Sequence, residues 1–372
     1  MCKYFIYPQN SMASADVTTW SISTVENDEE VARRISVSEN AYCVVTNTAY
    51  PIAILTAFSI GLLGNIMSFV VFSRPNMRKL TSTILPRCLA ISDTLTLTSY
   101  ALAICQNHYL TSMGSRWFCK AVIFMEGCFQ MTSSYLIMCM TIERFLAVTF
   151  PLKVISLVTM VTVRITAAVT FEVGVILSSP YLFVMDEVRG HCTIQAAKID
   201  IFNRWTHVDT TFATHLPVAL IFTLNLLVIV QFRRAAVKRR SLSNGSKGDN
   251  QAVHITKMLL SVSIVYWLLN TPYAIYLTGR DRFFNMRMLS GYCMAFFVQS
   301  STVVLVVSNN GVNFLLYFLT GQRFRRELFN LFYCGSDPKP AVFFEKNLEQ
   351  SNPNLKIIPS SFGPKLALQE SG

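Results

Sequence analysis

Seven apolar stretches, near residues 50–73, 82–107, 119–149, 160–184, 206–232, 255–278 and 292–319, constrain this chain more than anything else in it. At a helical rise of about 1.5 Å per residue, each is long enough to cross the roughly 30 Å hydrocarbon core of a bilayer. Composition agrees: hydrophobic residues make up 52% and charged residues 14%, against about 25% charged in soluble domains. The fold class expected is therefore an all-α membrane protein, a seven-transmembrane helix bundle.

The interval from Cys119 to Arg144 orders the rest. As a helix it spans roughly 37 Å, close to a bilayer with part of its headgroups, so its ends face opposite sides. Cysteines pair in oxidising compartments and basic residues collect on the cytoplasmic side, which puts Cys119 outside and Arg144 inside. Glu126, Gln130, Thr132, Ser133 and Ser134 lie within this span and are costly against lipid, so the helix is expected at the centre of the bundle.

Basic residues orient the set. Arg74, Arg78 and Lys79 follow the first segment, Lys153 and Arg164 flank the second inner loop, and Arg233, Arg234, Lys238, Arg239, Arg240, Lys247 and Lys257 fill the third. Arg323, Arg325 and Arg326 close the bundle on the same side. The N-terminus is thus expected outside and the C-terminus inside a plasma membrane. The net charge of +11 is spent on these clusters between apolar runs, and no nucleic-acid partner is expected.

Three regions follow. Residues 1–48 read as an extracellular disordered tail, with the acidic patch Glu26 to Glu30 and no apolar core of signal-peptide length after a basic start; the first membrane helix would deliver it. Cys43 within it is either a disulfide partner or an unpaired thiol. Residues 49–334 form the membrane domain, ending in a short amphipathic helix, 321–333, on which Phe324, Leu328, Leu331 and Phe332 share a face along the inner surface. Cys334 behind it is a candidate palmitoylation site. Residues 335–372, rich in Pro, Ser and Asn, read as a disordered cytoplasmic tail. Between the fifth and sixth segments, Ser241 to Asp249 reads as a loop, and its Asn244-Gly-Ser is a chance glycosylation match on the cytosolic side.

The ten cysteines show neither CxxC pairs nor histidine spacing, which argues against a zinc site. No nucleophile-base set, metal cluster or phosphate loop is visible, so the chain is not expected to be an enzyme.

With these residues placed, the chain resembles the rhodopsin-like G-protein-coupled receptors over residues 50–334. Gly64-Asn65 matches the first-helix GN, Leu89-Ala-Ile-Ser-Asp93 the second-helix LAxxD, and Glu143-Arg144-Phe145 a variant of the third-helix DRY. Pro217 and Pro272 match the fifth- and sixth-helix prolines, and Asn313-Phe-Leu-Leu-Tyr317 the NPxxY. Departures are Thr170 and Phe171 for the fourth-helix tryptophan, Asn225 for the fifth-helix tyrosine, Asn270 for the tryptophan of CWxP, Phe314 for the NPxxY proline, and Ala252 where some members carry an acid. Leu268-Leu-Asn-Thr-Pro272 and Asn309-Asn-Gly-Val-Asn313 resemble invertebrate peptide receptors of the FMRFamide type.

The resemblance implies roles. Asp93, Asn65, Ser133, Asn309 and Asn313 would surround an allosteric sodium ion, and oxygen-bearing side chains suit such a hard cation. A water-filled network of structural value is the other reading, and the two can coexist. Glu143 would hold Arg144 at rest, and Arg144, Asn313 and Tyr317 would serve G-protein coupling; a snorkelling arginine is the plainer alternative. Cys119 and Cys192 would form a disulfide over the cavity. Glu126, Gln130, Asp209, Tyr273 and Gln299 would line the outward ligand site. Two acids in a dry cavity invite a cationic ligand group, unless they pair internally with Arg204, His207 or His215.

The function expected is a receptor for an extracellular neuropeptide, of the Arg-Phe-amide type, that activates a heterotrimeric G protein and engages arrestin. Val307 stands where an opsin has its retinal lysine, and Glu126 where amine receptors carry aspartate, which disfavours both ligand classes. A membrane transporter could also use intramembrane acids, but no repeats are visible among the segments. A receptor that binds without signalling through G proteins is the third reading, motivated by the altered sixth and seventh helices.

Overall fold

The computed structural model describes residues 40–108, 115–188, 191–241, 247–285, 288–332, 355–358 and 365–368. Most of the expected outer tail, the Asn244 sequon and Cys334 lie outside the described residues, as does the side chain of Ala252. Among the described residues seven helices are long and apolar enough to cross a membrane: Ala41–Ser73, Thr81–Gln106, Arg116–Thr149, Met160–Val184, Ile199–Gln231, Thr256–Arg280 and Ser290–Thr320.

Their ends follow local chemistry. The first helix begins at Ala41 rather than near 50, because the Asn40 side chain accepts a hydrogen bond from the Tyr42 N–H at 3.1 Å and caps it. Ser115 caps the third span by accepting from the Phe118 N–H at 3.2 Å. Pro75 and Pro151 open the short inner helices Pro75–Arg78 and Pro151–Leu157, the position where a missing N–H costs least. Thr159 and Thr162 form a reciprocal capping box at the start of the fourth span. The fifth and sixth helices extend inward past the expected limits, to Ser241 and from Lys247.

The third span touches the second, fourth, fifth and sixth, so it is the central helix of the bundle. The first span packs against the second and seventh. Glycine permits the latter approach: a Cβ on Gly61 would lie 2.9 Å from the Gly311 Cα and 2.5 Å from the Leu97 Cδ1. In the fifth span, residues Thr211–His215 form a π-turn just before Pro217. Proline cannot donate and its ring crowds the carbonyl one turn earlier, so a wider turn here relieves the clash. That bulge begins two residues after Asp209.

Between the fourth and fifth spans lies a hairpin, β1 (Met185–Val188) paired antiparallel with β2 (His191–Ile194), with Glu187 opposite Cys192. The Cys119–Cys192 disulfide ties this hairpin to the third span. A second disulfide, Cys43–Cys293, with Cα atoms 5.1 Å apart, joins the starts of the first and seventh spans. Cys43 therefore pairs, which resolves the alternative left open by sequence.

After the seventh span a short helix runs over Gln322–Phe332. Phe324 is buried, its ring 5.2 Å from Phe72 and 5.7 Å from Tyr317, whereas Phe332, expected on the same apolar face, is exposed. Residues from Arg326 onward form a second unit. In the tail expected to be disordered, β3 (Leu355–Ile358) pairs antiparallel with β4 (Lys365–Leu368), Leu355 opposite Leu368. Both are short apolar-rich runs, separated by Pro, Ser and Gly, a pattern that supports strands and a turn.

Candidate functional site

In the half of the bundle that holds the two disulfides, two carboxylates and a set of tyrosines come together. Glu126 on the third span lies beside Tyr100 of the second. Asp209 on the fifth accepts a hydrogen bond of 2.8 Å from the hydroxyl of Tyr181 on the fourth. Tyr273 of the sixth span lies near both acids, and so does Tyr181. The Glu126 Oε2 is shielded and has no hydrogen-bond partner among the described residues. Neither carboxylate is in an ion pair among the described residues. The internal partners considered for Asp209 are not used: His215 instead bridges the Thr210 carbonyl at 3.0 Å and the Thr278 hydroxyl at 2.8 Å. Gln299 accepts from the Tyr276 hydroxyl at 3.3 Å, and Tyr276 lies beside Tyr273.

Gln130, expected among the ligand contacts, is turned toward the seventh span, where its Oε1 accepts from the Asn310 Nδ2 at 2.9 Å. The carbonyl of Asn310 accepts from Asn65 Nδ2, also at 2.9 Å. Below it, Asn313 Nδ2 donates to Asp93 Oδ2 at 2.7 Å. Ser133 lies beside Asp93 and donates to Ser92 at 3.0 Å, and Ser92 donates in turn to the Phe129 carbonyl. Several oxygens of this group are buried and have no hydrogen-bond partner among the described residues: Asp93 Oδ1, Asn65 Oδ1, Asn309 Oδ1, Asn310 Oδ1 and Asn313 Oδ1. Buried oxygens of this kind require a partner, and hard cations and water are the species that acceptor-only atoms can take. Among the described residues no group of three or more His, Cys, Asp or Glu side chains is arranged to hold a metal.

Toward the other end of the third span, Arg144 Nη2 stands 3.7 Å from Glu143 Oε2, and both side chains are largely buried. Tyr317 is buried with its ring edge-on to Phe72 at 5.0 Å, and its hydroxyl finds no hydrogen-bond partner among the described residues. Two departures from the family pattern have local partners here. Asn225 accepts from the Ser263 hydroxyl at 2.7 Å, joining the fifth and sixth spans with a buried hydrogen bond. Asn270 donates at 2.8 Å to the Tyr266 carbonyl of its own helix.

In the hairpin, Asp186 of β1 is held by Arg116 at 2.7 Å, Gln195 at 2.6 Å and the Glu187 N–H at 2.9 Å. Burial alone would raise its pKa, but the hydrogen bonds from Gln195 and Glu187, with the charges of Arg116 and Lys120, hold the carboxyl below the ordinary aspartate value.

Sequence reasoning missed Tyr100 and Tyr181, because a tyrosine in an apolar run reads as lipid-facing or core until the helix rotation is known. It also missed Cys293. The signal for that residue was present: it opens the seventh segment on the same side as Cys43.

The fold, seven membrane-crossing helices with a polar core and an acid-arginine pair at the inner end of the third, is that of a membrane receptor. Residues 64–317 match the 7 transmembrane receptor (rhodopsin family), and the chain belongs to that family. It is a multi-pass membrane protein. Among similar proteins, the FMRFamide receptor of Drosophila melanogaster is 26% identical over 325 residues, 81% of this chain and 55% of that receptor. Somatostatin receptor type 5 of Rattus norvegicus is 25% identical, covering 74% of this chain and 75% of its own length. C-C chemokine receptor type 3 of Macaca mulatta is 25% identical, covering 74% and 77%. The chain thus spans little more than half the length of the Drosophila receptor.

Proposed function

We propose that this chain is a plasma-membrane receptor with its N-terminus outside, which binds an extracellular peptide and activates a heterotrimeric G protein. The observation that carries the reading is one helix. The third span holds Glu126 in the outer cavity and Arg144 at the inner end, so a ligand-facing acid and a fixed cation lie on one rigid element. The orientation is supported by both disulfides gathering at one end of the bundle while the arginine clusters lie at the other.

The ligand proposed is a peptide ending in Arg-Phe-amide. Its guanidinium would meet the carboxylates through paired, charge-assisted hydrogen bonds, and its terminal ring would pack against tyrosines such as Tyr266 and Tyr273. The similarity to the FMRFamide receptor supports this ligand class. Arrestin is a further partner on the inner face. The partnerless oxygens of Asp93, Asn65, Asn309 and Asn313, with Ser133, fit a sodium ion, which would supply a removable positive charge to the polar core. Membership in a receptor family leaves the transporter reading without support.

The test is a screen of amidated peptides on cells expressing the receptor, read by calcium and cAMP. Activation by Arg-Phe-amide peptides is the expected result. Binding without any second-messenger response would support a non-signalling receptor, and substrate uptake without signalling would support a transporter.

A further inference from the structure

We propose that two copies of this chain pair in the membrane through the outward side of the fourth span, with Glu172 of one copy hydrogen-bonded to Glu172 of the other. The observation behind this is where the acids of the seven spans lie. Asp93 and Glu143 are buried, Glu126 and Asp209 are half-buried, and Asp200 is exposed at the start of the fifth span. Among the described residues, Glu172 is the one acid exposed in the middle of a span, twelve residues from Met160 and twelve from Val184. It makes no hydrogen bond or ion pair among them. At about 1.5 Å per residue it stands roughly 18 Å from either end of the helix, near the bilayer midplane, and a glutamate is too short to reach the headgroups from there.

The rotation of the helix is fixed by its other side. A Cβ on Gly174 would lie 2.7 Å from the Cys128 carbonyl oxygen, so that face is pressed against the third span. Glu172, two residues earlier and about 200° around the helix, faces away from the bundle. It lies on an exposed stripe at helical spacing, Ile165, Ala168, Glu172, Ile176 and Ser179, on the least buried of the seven spans.

A carboxyl group in hydrocarbon is neutral, with one O–H donor and a carbonyl acceptor, and it gains from a partner on a neighbouring helix. Every Lys and Arg in the seven spans lies within two turns of an end, so no face of another copy offers such a cation at this depth. Both copies face the same way across the membrane. The twofold axis relating them therefore runs along the membrane normal, and a residue beside it meets its own copy at its own depth. A carboxylic acid is self-complementary in that arrangement, each O–H donating to the carbonyl oxygen of the other. Ala168 and Ser179, small and on the same stripe, let the two helices approach. The pairing is independent of the ligand.

The test is single-molecule photobleaching and cysteine cross-linking of the full chain in phosphatidylcholine liposomes over a range of receptor densities. Ile176→Cys, one turn from Glu172, should give a cross-linked dimer above the background of the native cysteines, and Leu63→Cys, exposed on the first span, should not. Glu172→Leu should weaken the dimer on the order of tenfold, and Glu172→Gln, whose amide also donates and accepts, should keep most of it. Monomers at every density, dimers that cross-link through Leu63→Cys instead, or an affinity indifferent to Glu172→Leu would each overturn the proposal. So would a purified receptor that stays monomeric while Ile176→Cys cross-links to a different membrane protein in cells, because the fourth span would then seat another kind of partner.

Discussion

Gln130 on the third span and Asn310 on the seventh are joined by a buried hydrogen bond of 2.9 Å, and the Asn310 carbonyl is bonded to Asn65 of the first span. A residue one helical turn from Glu126 is thereby tied to the polar core that contains Asp93. Replacing Gln130 with Leu should leave the Asn310 amide without a partner and cost about 1–3 kcal/mol. Removing both partners, in Gln130→Leu with Asn310→Ala, should cost less than the sum of the single changes. Thermal unfolding of detergent-solubilised protein measures this, and strict additivity would show that the contact carries no energy.

Asp93 accepts from Asn313 with one oxygen while its other oxygen is buried without a hydrogen-bond partner. If sodium fills that demand, agonist binding should weaken as sodium replaces a larger organic cation at constant ionic strength. Asp93→Asn should abolish the difference. An unmutated receptor that is indifferent to sodium would assign the partnerless oxygens to water.

The outer surface gives a pH dependence with a defined sign. The folded Asp186 carboxyl lies below its ordinary value, so its contribution to stability is full above about pH 4 and disappears as pH falls through the lower, folded value. The unmutated receptor should lose stability in that acid range more steeply than Asp186→Asn. Parallel unfolding curves for the two proteins between pH 5 and 3 would show that Arg116 and Gln195 do not stabilise the charged form.

Much of this architecture is legible in the sequence because lipid imposes a single rule on length and polarity. The seven spans, the central third helix and the inner arginines follow from it. The side-chain partners do not. Which of the 14 tyrosines reaches a carboxylate depends on helix rotation, and rotation is set by packing such as Gly127 against Ser178 and Tyr181. The resemblance implies Gln130 as a ligand contact, and its bond to Asn310 on the seventh span is visible only once the two helices are placed. Asn225 reads as a loss when compared with the family's tyrosine. Its bond to Ser263 needs two helices to be placed before it can be seen.

Arg144 carries the central claim, since it is a largely buried cation at the inner end of the helix that bears Glu126, with Glu143 3.7 Å away. The most direct measurement is peptide-stimulated guanine-nucleotide exchange on a purified heterotrimeric G protein, made beside peptide binding, for the unmutated receptor and Arg144→Ala in nanodiscs. The account predicts exchange by the unmutated receptor, and in the variant a loss of at least tenfold in exchange with peptide affinity within a few-fold, because a tenfold loss corresponds to only about 1.4 kcal/mol at the inner contact. Undiminished exchange by Arg144→Ala at equal receptor concentration would contradict it.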